Sequence, residues 1–359
     1  MANAIKVIVL NDGNRGNFNQ AIGIAERLPG AEIEQIAVPP PSFLCRAILI
    51  LSANLSGVMP LFKIRFILRR FARIIPPFFS SGPTVIISAG SKLAPINILL
   101  SRCLSTKSVH VLYPDFIRLK LFNLLVTLEP DLWRHPWMAG AQNLIFIKGA
   151  PNRILPSCFQ PSPHRGEEKV RGIINIAVLI GGDDKNYRIS EGWAEELSRR
   201  LIEISEKLPA KIYLTTSRRT NRTTEDIFRK WLGGEPARFN LILYGQDFAN
   251  PVSEFLAVAD LVITTEDSIN MVSESASSGK PTVVLKVERK NKKFLVFDRA
   301  FENLAAENYI RLWSLEDIIP SNVNEAICNP KRKVLAETEK VAAKVMELLG
   351  QNFCHSRMF

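Results

Sequence analysis

The chain has 359 residues, 47% of them hydrophobic, and carries 46 Lys and Arg against 35 Asp and Glu for a net charge of +11. That length exceeds one ordinary core and sets an expectation of two domains of about 150 to 180 residues. Five cysteines without CxxC spacing (Cys45, Cys103, Cys158, Cys328, Cys354) and four scattered histidines (His110, His135, His164, His355) argue against a zinc site or a disulfide framework, and so for a reduced, cytoplasmic protein.

Residues 1–10 form a strand-like run with a single early Lys6, not the charged, apolar and small-residue succession of a signal peptide, so no leader is expected. The turn Asp12-Gly13-Asn14-Arg15-Gly16-Asn17 follows, then the helix FNQAIGIAERL. Its glycines permit a tight turn, but their spacing fits neither GxGxxG nor the GxxxxGK[ST] phosphate loop. Asp12 stands at a sheet edge, where a base and a turn former are equally good readings.

Residues 43–79 mix long apolar runs with Arg46, Lys63, Arg65, Arg69, Arg70 and Arg73. The uncharged part, 47–62, includes Asn54 and Pro60 and is shorter than the roughly 20 residues that span a bilayer. Contact with an anionic membrane surface is favoured over core helices with solvated arginine edges. A nucleic-acid partner is not expected, because the aromatic residues are Phe within apolar runs and no binding motif accompanies them. Residues 1–165 hold 18 basic and 7 acidic residues while 166–359 hold 28 of each, so the first half carries the whole excess charge.

Further strands are predicted at 84–90, 109–113, 124–128 and 144–147, nearly all followed by helical or turn segments. Residues 151–172, with four prolines and two glycines, read as a linker. A second unit then opens as the first did, with strand 174–180, the turn GGDDKNYRIS and a helix from 191; strands follow at 211–217, 239–244, 261–265 and 282–285. Residues 330–349 are periodic at helical spacing through Val334, Val341, Val345 and Leu348, with Gly350 as a stop. The expected fold class is α/β, two Rossmann-like domains facing across a cleft: 1–155, which carries the basic apolar segment, a linker at 156–172, and a second domain at 173–359.

The segment 261–285, LVITTEDSINMVSESASSGKPTVVL, is half of a parallel βαβ unit, with its turn at the carboxyl end of a buried strand and a helix N-terminus beyond it. Ser268, Asn270 and Ser273 are candidate donors to a diphosphate, and Glu274 a candidate acceptor from sugar hydroxyls; an ordinary capped helix start is an equal reading. Gly181 and Gly182 should open the matching turn of this domain and are candidate donor-binding residues there, and Arg218 and Arg219, also candidates, follow two threonines and a serine at a strand end, where guanidinium forks match phosphate oxygens. Residues 244–252 end a further strand that could read a base.

The stretches DGNRGNFNQAIGIAERL, IISAGSKLAPINILL, VLIGGDDKNYRIS, TTSRRT and TTEDSINMVSESASSGKPTVVL, in this order from residue 12 to 285, resemble the Elm family of bacterial glycosyltransferase-like proteins, named for a plant mitochondrial fission factor. The resemblance implies a GT-B architecture, a nucleotide-sugar site in the last of these stretches and a ribose-holding role for Glu274. Where the resemblance would place a Pro-x-His-Asp-like segment this chain has Leu128-Glu129-Pro130-Asp131, which leaves Asp131 or Asp12 as catalytic base. The expected activity is metal-independent transfer of a sugar from a nucleoside diphosphate to a lipid-linked or envelope glycan acceptor, at the inner face of the cytoplasmic membrane and without a cofactor. A nucleotide-sugar epimerase on the same fold and a non-catalytic membrane-associated scaffold are the alternatives.

Overall fold

A computed structural model describes residues 5–74, 84–155, 172–247, 251–291, 293–330 and 333–350. Two compact units emerge: unit 1 runs to Arg153 and resumes at Ala336, and unit 2 is Ile154–Leu335.

Unit 1 is built from β1 (Ile5–Asn11), α1 (Arg15–Glu26), β2 (Ala31–Ala37), α2 (Phe43–Asn54), α3 (Leu61–Ile67), β3 (Thr84–Ala89), α4 (Ala94–Leu104), β4 (Lys107–Val111), β5 (Leu124–Leu128), α5 (Glu129–Arg134) and β6 (Leu144–Ile147). Its strands form one parallel sheet in the order β2-β1-β3-β4-β5-β6. Strands covered on both faces favour apolar and β-branched residues along their whole length, as in β5, LLVTL, which is buried throughout and whose one hydroxyl, on Thr127, is hydrogen-bonded. Asn14 starts α1 by accepting from the amides of Gly16 (3.0 Å) and Asn17 (3.3 Å), which relieves two donors that a helix start leaves unpaired.

Unit 2 comprises β7 (Ile174–Leu179), β8 (Tyr187–Arg188), α6 (Glu191–Lys207), β9 (Ala210–Thr215), α7 (Arg222–Leu232), β10 (Phe239–Ile242), α8 (Tyr244–Asp247), α9 (Val252–Val258), β11 (Leu261–Thr265), α10 (Ile269–Ser277), β12 (Thr282–Leu285), β13 (Glu288–Arg289), α11 (Val296–Ala306), β14 (Arg311–Trp313) and α12 (Pro320–Cys328). The parallel order is β10-β9-β7-β11-β12-β14, with a small antiparallel β8–β13 pair beside it. Successive strands leave β7 in one direction through β9 to β10, then return to its other side at β11. The order therefore reverses between β7 and β11, and an open α/β sheet binds ligands outside the strand ends at such a point. In unit 1 the same reversal lies between β1 and β3.

Two sequence expectations need correction. The final helix, α13 (Glu337–Leu348), starts later than 330 because Lys333 and Leu335 give their amides to Asn308 O (2.9 Å) and Ala276 O (3.1 Å). It also belongs to unit 1, so the second domain does not extend to 359. Its apolar face of Val341, Ala342, Val345 and Met346 is buried and packs on α1 and β5. Thr338 exchanges hydrogen bonds with the Asn152 backbone (2.8 and 3.0 Å), and Arg27 pairs with Glu339 at 3.1 Å. Gly350, at φ +70°, ends the helix as expected. The expected linker lies almost wholly outside the described residues. Among those described, no helix is long and apolar enough to cross a membrane.

Candidate functional site

The carboxyl ends of β7, β9 and β11 meet in a hydrogen-bonded cluster centred on Asp267. Its side chain is fully buried, and it accepts from Gly182 N (2.9 Å), Thr265 Oγ1 (2.6 Å) and Arg219 Nη2 (2.6 Å). Burial pushes the carboxyl above its ordinary range, against the opposing pull of Arg219 and the hydrogen bonds of Thr265 and Gly182. Arg219 is thereby clamped: Nη1 also donates to Gly182 O (3.2 Å), while about a third of its side chain stays open to solvent. A guanidinium fixed at one edge and open at the other is a preorganised anion donor. Arg218 beside it is exposed and makes no hydrogen bond or ion pair among the described residues.

Gly181 and Gly182 sit in this cluster for a reason other than the one expected. Their amides are occupied, Gly181 N by Thr265 Oγ1 (2.8 Å) and Gly182 N by Asp267, so neither is presented to a phosphate. A Cβ on Gly181 would collide with the Asp267 carboxylate, and one on Gly182 with the backbone of Arg219. These glycines let two loops approach closely. The loops are tied further by Thr220 Oγ1 donating to Gly181 O and by Asp183 N donating to Arg219 O (3.1 Å).

Ser268 caps α10, accepting weakly from Met271 N (3.4 Å). Asn270 and Glu274, four residues apart, share one partly exposed face of that helix. Ser273 does not join them: it is fully buried, and its hydroxyl donates to Ile269 O (2.7 Å), so it is withdrawn as a ligand donor. Gly279, at φ +75°, lets the chain leave the helix for β12.

Three buried carboxylates beyond those read from sequence support the cluster. Asp267 is the first. Glu266, whose carboxyl burial pushes up, accepts from Val287 N (3.1 Å) and lies near Arg289, which stacks over Tyr187 and pairs with Asp298. Glu225 accepts from Thr216 Oγ1 (2.5 Å) and Gly245 N (3.0 Å), and Thr216 accepts from Tyr244 N (2.7 Å). The start of the segment after β10 is thus held against β9. An acidic pair directly after an apolar strand, Thr264-Thr265-Glu266-Asp267, was the available signal for two of the three.

Unit 1 separates its two candidate bases. Asp12 and Asp131 follow β1 and β5, which have β3 and β4 between them, so they stand about 14 Å apart along the sheet edge at ordinary strand spacing. Asp12 Oδ1 accepts from Asn14 N (3.0 Å); its second carboxylate oxygen is unbonded among the described residues, at the reversal between β1 and β3. Asp131 is buried and caps α5, accepting from Thr127 Oγ1 (2.6 Å) and Leu128 N (3.3 Å), with burial raising its pKa. His110 is fully buried, its pKa lowered to about 3 by desolvation, and bonds Ser88 Oγ (2.8 Å). It is a neutral core residue. His135 stacks on Tyr113 at 4.4 Å between centroids.

The fold recurs in solved enzymes. A UDP-N-acetylglucosamine 2-epimerase of Methanocaldococcus jannaschii, determined with UDP-N-acetylglucosamine and UDP, is 13% identical with 97% of this chain and 99% of that one covered, at a TM-score of 0.50. The Streptomyces nogalater glycosyltransferase SnogD is 14% identical over 99% and 96%, also at 0.50. The architecture is therefore GT-B, shared by glycosyltransferases and epimerases. By sequence, the uncharacterized protein RP120 of Rickettsia prowazekii is 25% identical, covering 95% of this chain and 99% of its own. The Arabidopsis thaliana mitochondrial fission protein ELM1 is 22% identical over 61% of this chain and just 55% of its own. The profile of the mitochondrial fission ELM1 family matches residues 15–349, and the chain belongs to that family.

Proposed function

We propose that the protein is a glycosyltransferase that takes a sugar from a nucleoside diphosphate and delivers it to a lipid-linked or envelope glycan acceptor at the cytoplasmic face of a membrane. One observation carries the reading: at the strand-order reversal of unit 2, a clamped Arg219 and an unpaired Arg218 lie beside the loop that starts α10. Two guanidinium groups and a helix N-terminus supply the positive field a diphosphate leaving group needs as its charge develops. These donors meet that charge without calling on a divalent ion or a cofactor. Glu274 accepts from the ribose hydroxyls, Asn270 donates beside it, and Ser268 caps the helix that faces the phosphates.

Asp12, with one carboxylate oxygen open at the reversal of unit 1, is the better placed of the two aspartates to take the acceptor hydroxyl proton. Asp131 serves α5 as a cap. Because UDP-N-acetylglucosamine is named for the epimerase of this fold, uridine nucleotides are the first to assay. The second reading, an epimerase, rests on that same likeness of fold.

The test is product formation from a UDP-sugar with and without a polyprenyl phosphate or a membrane extract. Transfer predicts UDP release that depends on acceptor and falls by about a hundredfold or more in Asp12→Asn, roughly the low end of a general base's contribution. Interconversion of the sugar without acceptor would support the epimerase. No nucleotide binding and no turnover would leave a scaffold.

A further inference from the structure

Unit 1 presents an apolar helical face that no described residue of the unit covers. Helix α2 runs beside α4, held at one end by Arg46 Nη2 donating to Ser91 Oγ (3.2 Å) and at the other by Arg102 Nη2 donating to Gly57 O (3.1 Å). Leu49, Ser52 and Ala53 are its buried residues. Leu44, Ile48, Leu51 and Leu55, spaced four, three and four apart, form a second apolar stripe that is exposed, Leu51 by 62%. The face continues onto α3, where Ile64 turns inward while Phe62 and Phe66 are 69% and 64% exposed. Phe43, at the start of α2, is 86% exposed.

Single exposed apolar residues are ordinary, but a contiguous set along two helices is not. The charges around it select the occupant. Lys63 and Arg65 lie between the α3 phenylalanines, Arg69, Arg70 and Arg73 follow just after that helix, and all five are exposed. Residues 35–114 contain nine Lys and Arg and no Asp or Glu, so the charges that α2, α3 and the turns after them carry themselves are of one sign. Arg70 and Arg73 also line a hollow with Ser42 and Cys45 at the first turn of α2. A second copy of the chain would bring like charges together, whereas a surface with phosphates outside and acyl chains beneath satisfies both parts. We propose that the α2–α3 face docks on an anionic phospholipid leaflet, with Phe43, Leu51, Phe62 and Phe66 entering the acyl boundary and Arg65, Arg69, Arg70 and Arg73 at the phosphates. Long arginine side chains reach headgroup level from beside a buried apolar row. This deepens the reading of a membrane-borne acceptor by naming the surface that meets the membrane, and its test needs no turnover.

The full chain is sedimented with phosphatidylcholine vesicles with and without phosphatidylglycerol, at rising salt. The expected result is binding that requires phosphatidylglycerol and weakens with salt as exposed charges are screened beyond about 8 Å at physiological ionic strength. The variant R65Q/R69Q/R70Q/R73Q should lose at least about tenfold in partitioning, since each surface cation contributes about fivefold. The variant F43S/F62S/F66S should lose retention at low salt, where the charges alone still attract. Both should melt like the parent and keep its nucleotide affinity, so a failed docking test remains distinct from a failed donor site. Phe62→Trp gives an independent readout: its emission should shift to the blue on phosphatidylglycerol vesicles. Parent-like sedimentation of both variants, no lipid-dependent shift at Trp in that position, or a dimer dispersed by the serine changes without lipid binding would each overturn the proposal.

Discussion

Asp267→Asn removes one charge from a buried site while preserving its shape. The carboxylate has three donors directed at it: Gly182 N and Arg219 Nη2 at Oδ2, and Thr265 Oγ1 at Oδ1. An asparagine oxygen can replace one carboxylate oxygen only. With the amide nitrogen at the Oδ2 position, two donors meet a third; with the group flipped, Thr265, already accepting from Gly181 N, loses the acceptor of its own hydroxyl proton. Hydrogen bonds to a charged group are each worth about 1.5–3 kcal/mol. Arg219 is about a third exposed and can turn to water, so its share is discounted for screening. The net loss should be about 2–4 kcal/mol, or roughly 5–10 °C in the melting temperature of a unit of this size. Freed from its clamp, Arg219 should also lose about tenfold in diphosphate affinity, with little change for the bare nucleoside. Urea unfolding and calorimetric titration measure the two effects. Parent-like stability would refute the reasoning, because it would mean that the carboxyl is neutral in the fold or that its donors are equally well served by water.

Gly181→Ala places a methyl group against the Asp267 carboxylate and should cost about 1–3 kcal/mol, seen in urea unfolding, together with the nucleotide site. Arg218→Ala should leave stability within about 0.5 kcal/mol while weakening UDP but not uridine in titration; equal losses for both ligands would assign it a structural part. Glu274→Ala should weaken nucleotide binding by roughly 1.5–3 kcal/mol without unfolding, and unchanged affinity would remove it from the site. Glu337 is a buried carboxyl whose pKa burial raises, so the folded chain holds that proton to higher pH than the unfolded chain does. Above the ordinary carboxylate range, about pH 4, the folded state then binds more protons and this group lowers stability as pH rises to its elevated pKa. Glu337→Gln should flatten that decline; a steeper decline in urea titrations between pH 4 and 7 would contradict it.

The parallel sheets were legible because a strand covered on both faces reads as a short, mainly aliphatic and β-branched run without charges, as in LVITT and LLVTL. The helix at 337–348 was legible too, but not its owner: an amphipathic pattern tells that one face is buried, and nothing about which unit buries it. Ser273 could have been set aside from sequence alone, since Ile269, Val272 and Ala276 mark the inward side of α10 and Ser273 lies beside Val272 on it. Asp267 was harder to see. Its partners Gly182 and Arg219 are 85 and 48 residues away, and only the strand order brings those loops together. The glycines at 181 and 182 show the same limit, because a requirement for close approach reads in sequence like a phosphate loop. Asp131 behaves as a helix cap, as the Pro130 that precedes it at a helix start already suggested.

The central claim is that a nucleoside diphosphate binds at the reversal between β7 and β11, held chiefly by its phosphates. Calorimetric titration of the parent with UDP, UMP and uridine tests it most directly. The account predicts affinity rising from uridine to UMP to UDP, with the gain from the phosphates lost in Arg218→Ala/Arg219→Ala. Equal affinity for all three ligands, or UDP binding that survives the double change, would contradict it.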